Sequence, residues 1–245
     1  AASNAAFFYG WSMMSLDEAT LRNELRGFDG DLYLTHLFAP SVSRPKLLAI
    51  YYAYADMARI PHMVSDAMIG AIRLQWWRDL VAGLAEQNGG DSPIGAALLE
   101  CQVNCDTMLC LIDGRQSELD LEEERSLAAC SPFCETLGGA FMNLSLDMLA
   151  VEDAEIRQIA PQAGHGFELL RLTPVGHPRM AMAAHAFLDT ACKRFNSLSR
   201  RQRKSALPAF LPIGLARYQA SHWPKQKSLL AYQWHILKMA TLGRL

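Results

Sequence analysis

The chain has 245 residues, 51% of them hydrophobic and 20% charged, with a formal net charge of −2. That balance suits one large globular domain with a sizeable core and excludes a largely disordered chain. It also excludes a broad basic nucleic-acid surface, and Arg200, Arg201, Arg203 and Lys204 read as a solvated helix end, so no nucleic-acid partner is expected.

The opening AASNAAFFYGW holds no basic start and no signal-peptide core, and its initial alanine is compatible with processing. The first 30 residues match no known pattern; they are assigned as an extension, a candidate partner-binding arm, ahead of a domain over residues 31–245. Leu16, Leu21, Leu25, Leu32 and Leu37 recur near helical spacing, with an interruption at Gly27–Gly30. Ser43 and Pro45 predict a helix start, and Pro61 predicts its end near Arg59. Ser65 or Asp66 caps the next helix, which runs to Ala85 before the QNGGDS loop. Further helices are predicted over Pro93–Ile112, Leu121–Ala129, Pro132–Ala150 (capped by Ser131) and Glu152–Leu170. After a turn at Thr173–Pro178, helices follow over Pro178–Ser197, Ala209–Gln219 and Leu229–Leu242. With no alternating strand pattern and no internal repeat, the expectation is a single all-α domain.

No apolar run approaches the roughly 20 residues that span a bilayer; Leu47–Ala55 and Ala206–Ala216 come nearest and are broken by charge or proline. The six cysteines include two pairs four apart, Cys101/Cys105 and Cys130/Cys134, each expected on one helix face. A CxxxC pair without nearby histidine is a poor metal signature, so reduced, buried cysteines in a reducing compartment are expected. Glu122–Glu124 reads as a solvated helix face.

Six stretches in order carry a family resemblance: RPKLLAIYYAYADMARI, IRLQWWRDL, LIDGRQSELD, CETLGGAFMNLSLDML, GHGFELLRLTP and ALPAFLPIGLARY. Together they cover most of the chain from about Leu32 onward. They resemble the squalene/phytoene synthase family, which implies an isoprenoid-synthase-like helical bundle around a central cavity. VSDAMIGAIRLQWWRD is most similar to a divergent branch of that family containing a mitochondrial complex I assembly factor.

Active members of the family ionise prenyl diphosphates with Mg²⁺, which needs carboxylates from two aspartate-rich motifs on facing helices. Where the first motif belongs, the chain has Arg59, Ile60, Pro61, His62 and Met63, with Asp66 further on and Asp56 out of register. Where the second belongs, it has Arg171, Leu172, Thr173 and Pro174, and the proline disturbs helical presentation. The resemblance therefore implies a pseudoenzyme with no catalytic residues, metal ligands or cofactor. It implies a mitochondrial protein at the matrix side of the inner membrane, partnered with respiratory-complex subunits, above all those of complex I. A peripheral membrane contact and a bound lipid belong to the same expectation.

The cavity and degenerate-motif candidates are Tyr52, Tyr54, Arg59, His62, Asp66, Arg73, Trp77, Arg78 and Arg171. Tyr51, Tyr52 and Tyr54 either line a lipid pocket or pack in the core. Arg73 and Arg78 either grip an anionic head group or serve structure, Arg73 against Trp76 and Trp77 and Arg78 with Asp79. Trp76 and Trp77 point about 100° apart on a helix, so one is expected in the core and the other at the cavity or a partner surface. None of His62, His165 and His177 has a nearby Ser or Cys nucleophile with a recognisable elbow, which leaves hydrolase chemistry unsupported. The alternatives are an active prenyl transferase whose Asp56, Asp66 and Glu168 share Mg²⁺, or a lipid or quinone carrier using the emptied cavity.

Overall fold

Most helix starts among the described residues are set by short polar side chains that accept a hydrogen bond from the first free N–H groups, and three others carry a proline in the first turn instead. A computed structural model describes residues 18–64, 66–89, 92–121, 126–173, 177–222 and 229–245. Helix α1 (Glu18–Phe28) buries Leu21 and Leu25 and packs on α3 (Arg44–Met63). Between them lies α2 (Gly30–His36), where the Asp29 carboxylate accepts from Asp31 N at 3.0 Å and Leu32 N at 2.9 Å. Asp66 caps α4 (Ala67–Ala85), accepting from Met68 N at 2.8 Å, as one of the two expected caps. The other, Ser65, lies outside the described residues, as do Glu122–Glu124, Pro174 and residues 1–17.

Several prolines depart from expectation for a common reason. Proline removes one helical hydrogen bond, and packing or another donor offsets the loss. Helix α3 passes Pro61 and ends at Met63, because buried Met57 and Ile60 hold that last stretch in the core. Two expected helices merge into α7 (Leu127–Met148), with Ser126 rather than Ser131 as cap and Pro132 inside. The carbonyl freed by Pro132 belongs to exposed Ala128, where water can serve it. Helix α11 (Arg200–Ala220) starts before the expected Ala209, on a capping box formed by Ser199 and Gln202, and contains Pro208 and Pro212. Pro212 frees the Pro208 carbonyl, and the buried Tyr51 hydroxyl donates to that oxygen at 3.3 Å.

Two long predictions divide instead. Pro93–Ile112 becomes α5 (Pro93–Glu100) and α6 (Cys105–Leu119), broken where Gln102 takes φ 52° and Asn104 caps the second helix. Cys101 and Cys105 therefore share no helix face, whereas Cys130 and Cys134 both lie buried on α7. Burial holds for Cys192 too, but Cys110 is exposed. Glu152–Leu170 becomes α8 (Ala154–Arg157) and α9 (Ala160–Leu172). Helices α10 (Pro178–Ser197) and α12 (Leu229–Leu242) fall as expected.

The described residues contain helices and no strand, in one domain. Helix α7 runs through the middle against α3, α6 and α9. Its crossing with α9 is close enough to require glycine on both sides. A Cβ on Gly138 would sit 2.1 Å from the Gly164 carbonyl oxygen, and one on Gly164 1.9 Å from that of Gly138. That crossing brings the inward faces of α3, α6 and α9 around one buried point.

Candidate functional site

At that point the chain places four charges. Arg115 and Glu118 stand one turn apart on α6, and Glu168 and Arg171 one turn apart on α9, in mirrored order. Arg115 Nη1 donates to Glu118 Oε2 at 2.9 Å and to Glu168 Oε2 at 3.2 Å, while its Nη2 reaches Glu168 Oε1 at 3.3 Å. Arg171 closes the ring, Nε to Glu168 Oε2 at 2.9 Å and Nη2 to Glu118 Oε2 at 2.6 Å. The Tyr54 hydroxyl, from α3, donates to Glu168 Oε1, and the Arg115 guanidinium lies 4.7 Å from the Tyr54 ring centre. The Arg115, Glu118 and Glu168 side chains are essentially inaccessible to solvent, and Arg171 is partly exposed.

Two arginines and two glutamates make the box neutral, which is how a charge survives burial. Burial pushes the Glu118 carboxyl up, but Arg171 and Arg115 outweigh that and hold it at about 2. Burial and the neighbouring Glu168 carboxylate raise the Tyr54 phenol well above its ordinary value, so it stays a donor. Aromatic rings fill the adjoining space: Phe141 packs 4.2 Å from Tyr54 and stacks on Phe167 at 5.6 Å.

Of the expected site residues, the box unites Tyr54 and Arg171 and leaves the rest outside. Tyr52 donates to Glu24 Oε2 at 2.8 Å. Arg59 lies 3.7 Å over the Phe28 ring and pairs with Asp56 at 3.8 Å. Trp77 is buried and donates to Asp56 at 3.3 Å, while Trp76 is exposed, the division their adjacency predicts. His62 is exposed at the end of α3, and Asp66 is exposed as the α4 cap. Arg78 pairs across helices with Asp113, not with Asp79, which instead accepts from Gln75 at 2.7 Å. Arg73 reaches the Met63 sulfur at 3.9 Å rather than the tryptophan faces.

The box residues that sequence reasoning passed over are Arg115 and Glu118, and Glu168 was weighed as a metal ligand alone. Their signal was the mirrored Arg-x-x-Glu and Glu-x-x-Arg spacing, the second within the apolar run around Leu169, Leu170 and Leu172. A hydroxyl does sit beside His165, whose Nε2 lies 2.9 Å from Ser131 Oγ, but Ser131 is inside α7 and not on an elbow. No carboxylate hydrogen-bonds that ring among the described residues, and burial lowers its pKa, so the pair lacks the third member that activates a nucleophile.

Magnesium requires free anionic oxygens. Glu118 and Glu168 already face two guanidinium groups, Asp56 is engaged by Trp77 and Arg59, and Asp66 caps a helix. Among the described residues no group of three His, Cys, Asp or Glu is placed to share an ion. The residues present do not fit a magnesium–diphosphate cluster.

Comparison with known proteins gives this geometry its context. The Squalene/phytoene synthase family profile matches residues 25–173, more than half of the chain. The chain belongs to the squalene/phytoene synthase family. Within it, the chain is 26% identical over 157 residues to the Bos taurus protein named NADH dehydrogenase (ubiquinone) complex I, assembly factor 6. The Homo sapiens protein of that name is 24% identical over the same length. Each match covers 61% of this chain and 47% of the relative, so the chain spans about half the length of the curated relatives it matches. Among solved structures, a dehydrosqualene synthase aligns with TM-score 0.66 at 13% identity, covering 92% of this chain and 95% of its own. Squalene synthase HpnC from Alicyclobacillus acidocaldarius aligns with TM-score 0.59 at 13% identity, covering 92% and 94%. This family member therefore has the isoprenoid-synthase-like fold, with an ionic box at the meeting point of α3, α6, α7 and α9.

Proposed function

We propose that this chain is a non-catalytic member of its family that assists assembly of a respiratory complex, complex I, through protein–protein contacts at the matrix side of the mitochondrial inner membrane. The observation that carries the non-catalytic part is the box itself. Glu118 and Glu168, the acids at the meeting point of the helices, are neutralised by arginines of the same chain, and among the described residues no cluster of carboxylates is left for a departing diphosphate and its metals. The aromatic fill around Tyr54, Phe141 and Phe167 supports a scaffold over a lipid carrier. The names of the sequence relatives, complex I assembly factor 6, support the assembly role.

A partner needs a surface, and the outer side of α4 supplies one. Met68, Ile69, Ile72 and Trp76 are exposed at helical spacing, with Met63 beside them at the end of α3. The extension over the first 30 residues, of which Leu21 and Leu25 are buried, is proposed as a second contact. Affinity purification from native membranes at mild salt tests the reading. Stoichiometric recovery of complex I subunits is expected with the parent chain and is expected to fall at least tenfold with Ile72→Ser/Trp76→Ser, a change confined to exposed side chains. Turnover of farnesyl or geranylgeranyl diphosphate with Mg²⁺ would overturn the non-catalytic part.

A further inference from the structure

Charge is divided unequally along the chain. Residues 190–245 hold 11 of the 23 lysines and arginines and none of the 25 acids, so this stretch carries +11 and the preceding 189 residues carry −13. The overall value of −2 conceals both. Part of the positive charge is used internally: Lys193 and Arg217 pair with Asp189, and Arg203 donates to the carbonyls of Asn196, Leu198 and Gly243. Arg200, Arg201, Lys204, Lys238 and Arg244 are exposed and form no salt bridge among the described residues.

The same hydrogen bonds gather these charges at one end of a helix pair. Arg203 Nε holds the Gly243 carbonyl at 3.0 Å, and Asn196 exchanges bonds of 2.8 and 3.0 Å with the backbone of Leu245. The end of α12 is thereby pinned beside the start of α11, which brings Arg244 to the same end as Arg200, Arg201 and Lys204. Helix α12 packs inward through Ile236 and Met239 onto Leu211 and Leu215. Outward it presents Leu230 (77% exposed), Trp234 (69% exposed) and Leu237, spaced i, i+4, i+7, with Lys238 beside them. No helix among the described residues is long and apolar enough to cross a membrane. The lysines and arginines of α12 and of the start of α11 stand with no acid in either helix, although Asp153 and Glu155 reach Gln202 and Asp31 reaches Tyr232 from other parts of the chain. An aromatic and aliphatic stripe beside such basic residues is the composition of a helix that lies in a lipid interface.

We propose that the outer face of α12, with the basic start of α11, is a peripheral docking surface for an anionic lipid bilayer. Phosphate groups satisfy the lysines and arginines while Leu230, Trp234 and Leu237 enter the boundary between head groups and acyl chains. An acidic protein would match the charges, but it would also need an apolar counterpart to the stripe; a bilayer supplies both along one plane. The inference deepens the membrane-side placement proposed above and does not depend on which complex is assembled.

Co-flotation of the full chain with vesicles tests it. Vesicles with about a third phosphatidylglycerol should carry the protein about tenfold or more better than pure phosphatidylcholine, with the difference shrinking in high salt. Lys238→Glu/Arg244→Glu should lower partitioning about tenfold, and Leu230→Ser/Trp234→Ser by a similar factor, with unfolding midpoints unchanged because all four side chains are exposed. Quenching by brominated acyl chains should fall in Trp234→Phe. Equal binding to both vesicle types, or none to either, overturns the proposal. So does loss of complex I capture in detergent with Lys238→Glu/Arg244→Glu, which would reassign the face to a protein. Retained capture in detergent alongside lost flotation supports it, and capture without any effect on flotation separates this failure from that of the assembly reading.

Discussion

A buried and a half-buried acidic site in this molecule respond to desolvation in opposite ways. In the ionic box, Glu118 is held at about 2 because Arg171 and Arg115 outweigh the penalty of burial. At the α2 cap, Asp29 rises to about 6: burial dominates, its two backbone hydrogen bonds recover only part of the loss, and Asp31 adds repulsion. Asp31, which accepts from Tyr232 at 2.7 Å and Gln219 at 3.0 Å, is also raised by burial. Neutral donors soften the cost of burying a carboxylate; facing guanidinium groups reverse its sign.

The sharpest way to break this contrast is Arg115→Met. It leaves Glu118 and Glu168 sharing one partly exposed arginine, and loss of about 4 kcal/mol is expected from chemical denaturation, since removing one partner strands a buried charge. Acid titration comes next. Because the folded pKa of Glu118 lies below its ordinary 4.5, its stabilisation is complete above that value and disappears as pH falls toward 2. The loss is on the order of 3 kcal/mol, read as a falling denaturant midpoint between those pH values.

What the sequence disclosed follows the range of the interactions involved. Helices, the Asp66 cap and the division between Trp76 and Trp77 depend on neighbours within a few residues, and they were legible. The family stretches conveyed the fold as well. The box was half visible: each Arg–Glu pair lies within one turn, but the bonds joining α6 to α9 link residues 53 apart. Only the Gly138–Gly164 crossing brings those faces together, and nothing local announces it. The early start of α11 was legible in the Ser199 and Gln202 capping box, which the predicted start at Ala209 passed over. The acid-free stretch after Asp189 was plain in the composition and was averaged away by the net charge.

The Asp29 site should behave inversely. Its folded pKa of about 6 lies above the ordinary 3.8, so its contribution is fully present below 3.8 and is lost as pH rises through 6. Asn at this position still caps the helix but carries no charge. Asp29→Asn is therefore expected to raise stability by about 2 kcal/mol at neutral pH and by nothing near pH 3, flattening the profile on its alkaline side. A loss at both pH values would show that the carboxylate serves chiefly as a hydrogen-bond acceptor.

The smallest expected effect isolates the neutral donor. Tyr232→Phe keeps the ring against Tyr218 but removes the hydroxyl that supports Asp31. Gln219 still donates to the same oxygen, so the loss should be about 1 kcal/mol at neutral pH. The sign of its pH dependence is the informative part. Without the phenol, Asp31 is further raised, so the penalty should shrink as acid protonates the carboxyl. Tyr54→Phe removes a corresponding donor from the box, where Arg115 and Arg171 still bond Glu168, so its loss at neutral pH should also be about 1 kcal/mol. A much larger loss in Tyr54→Phe than in Tyr232→Phe would mean that the guanidinium groups contribute less to the box than their geometry indicates.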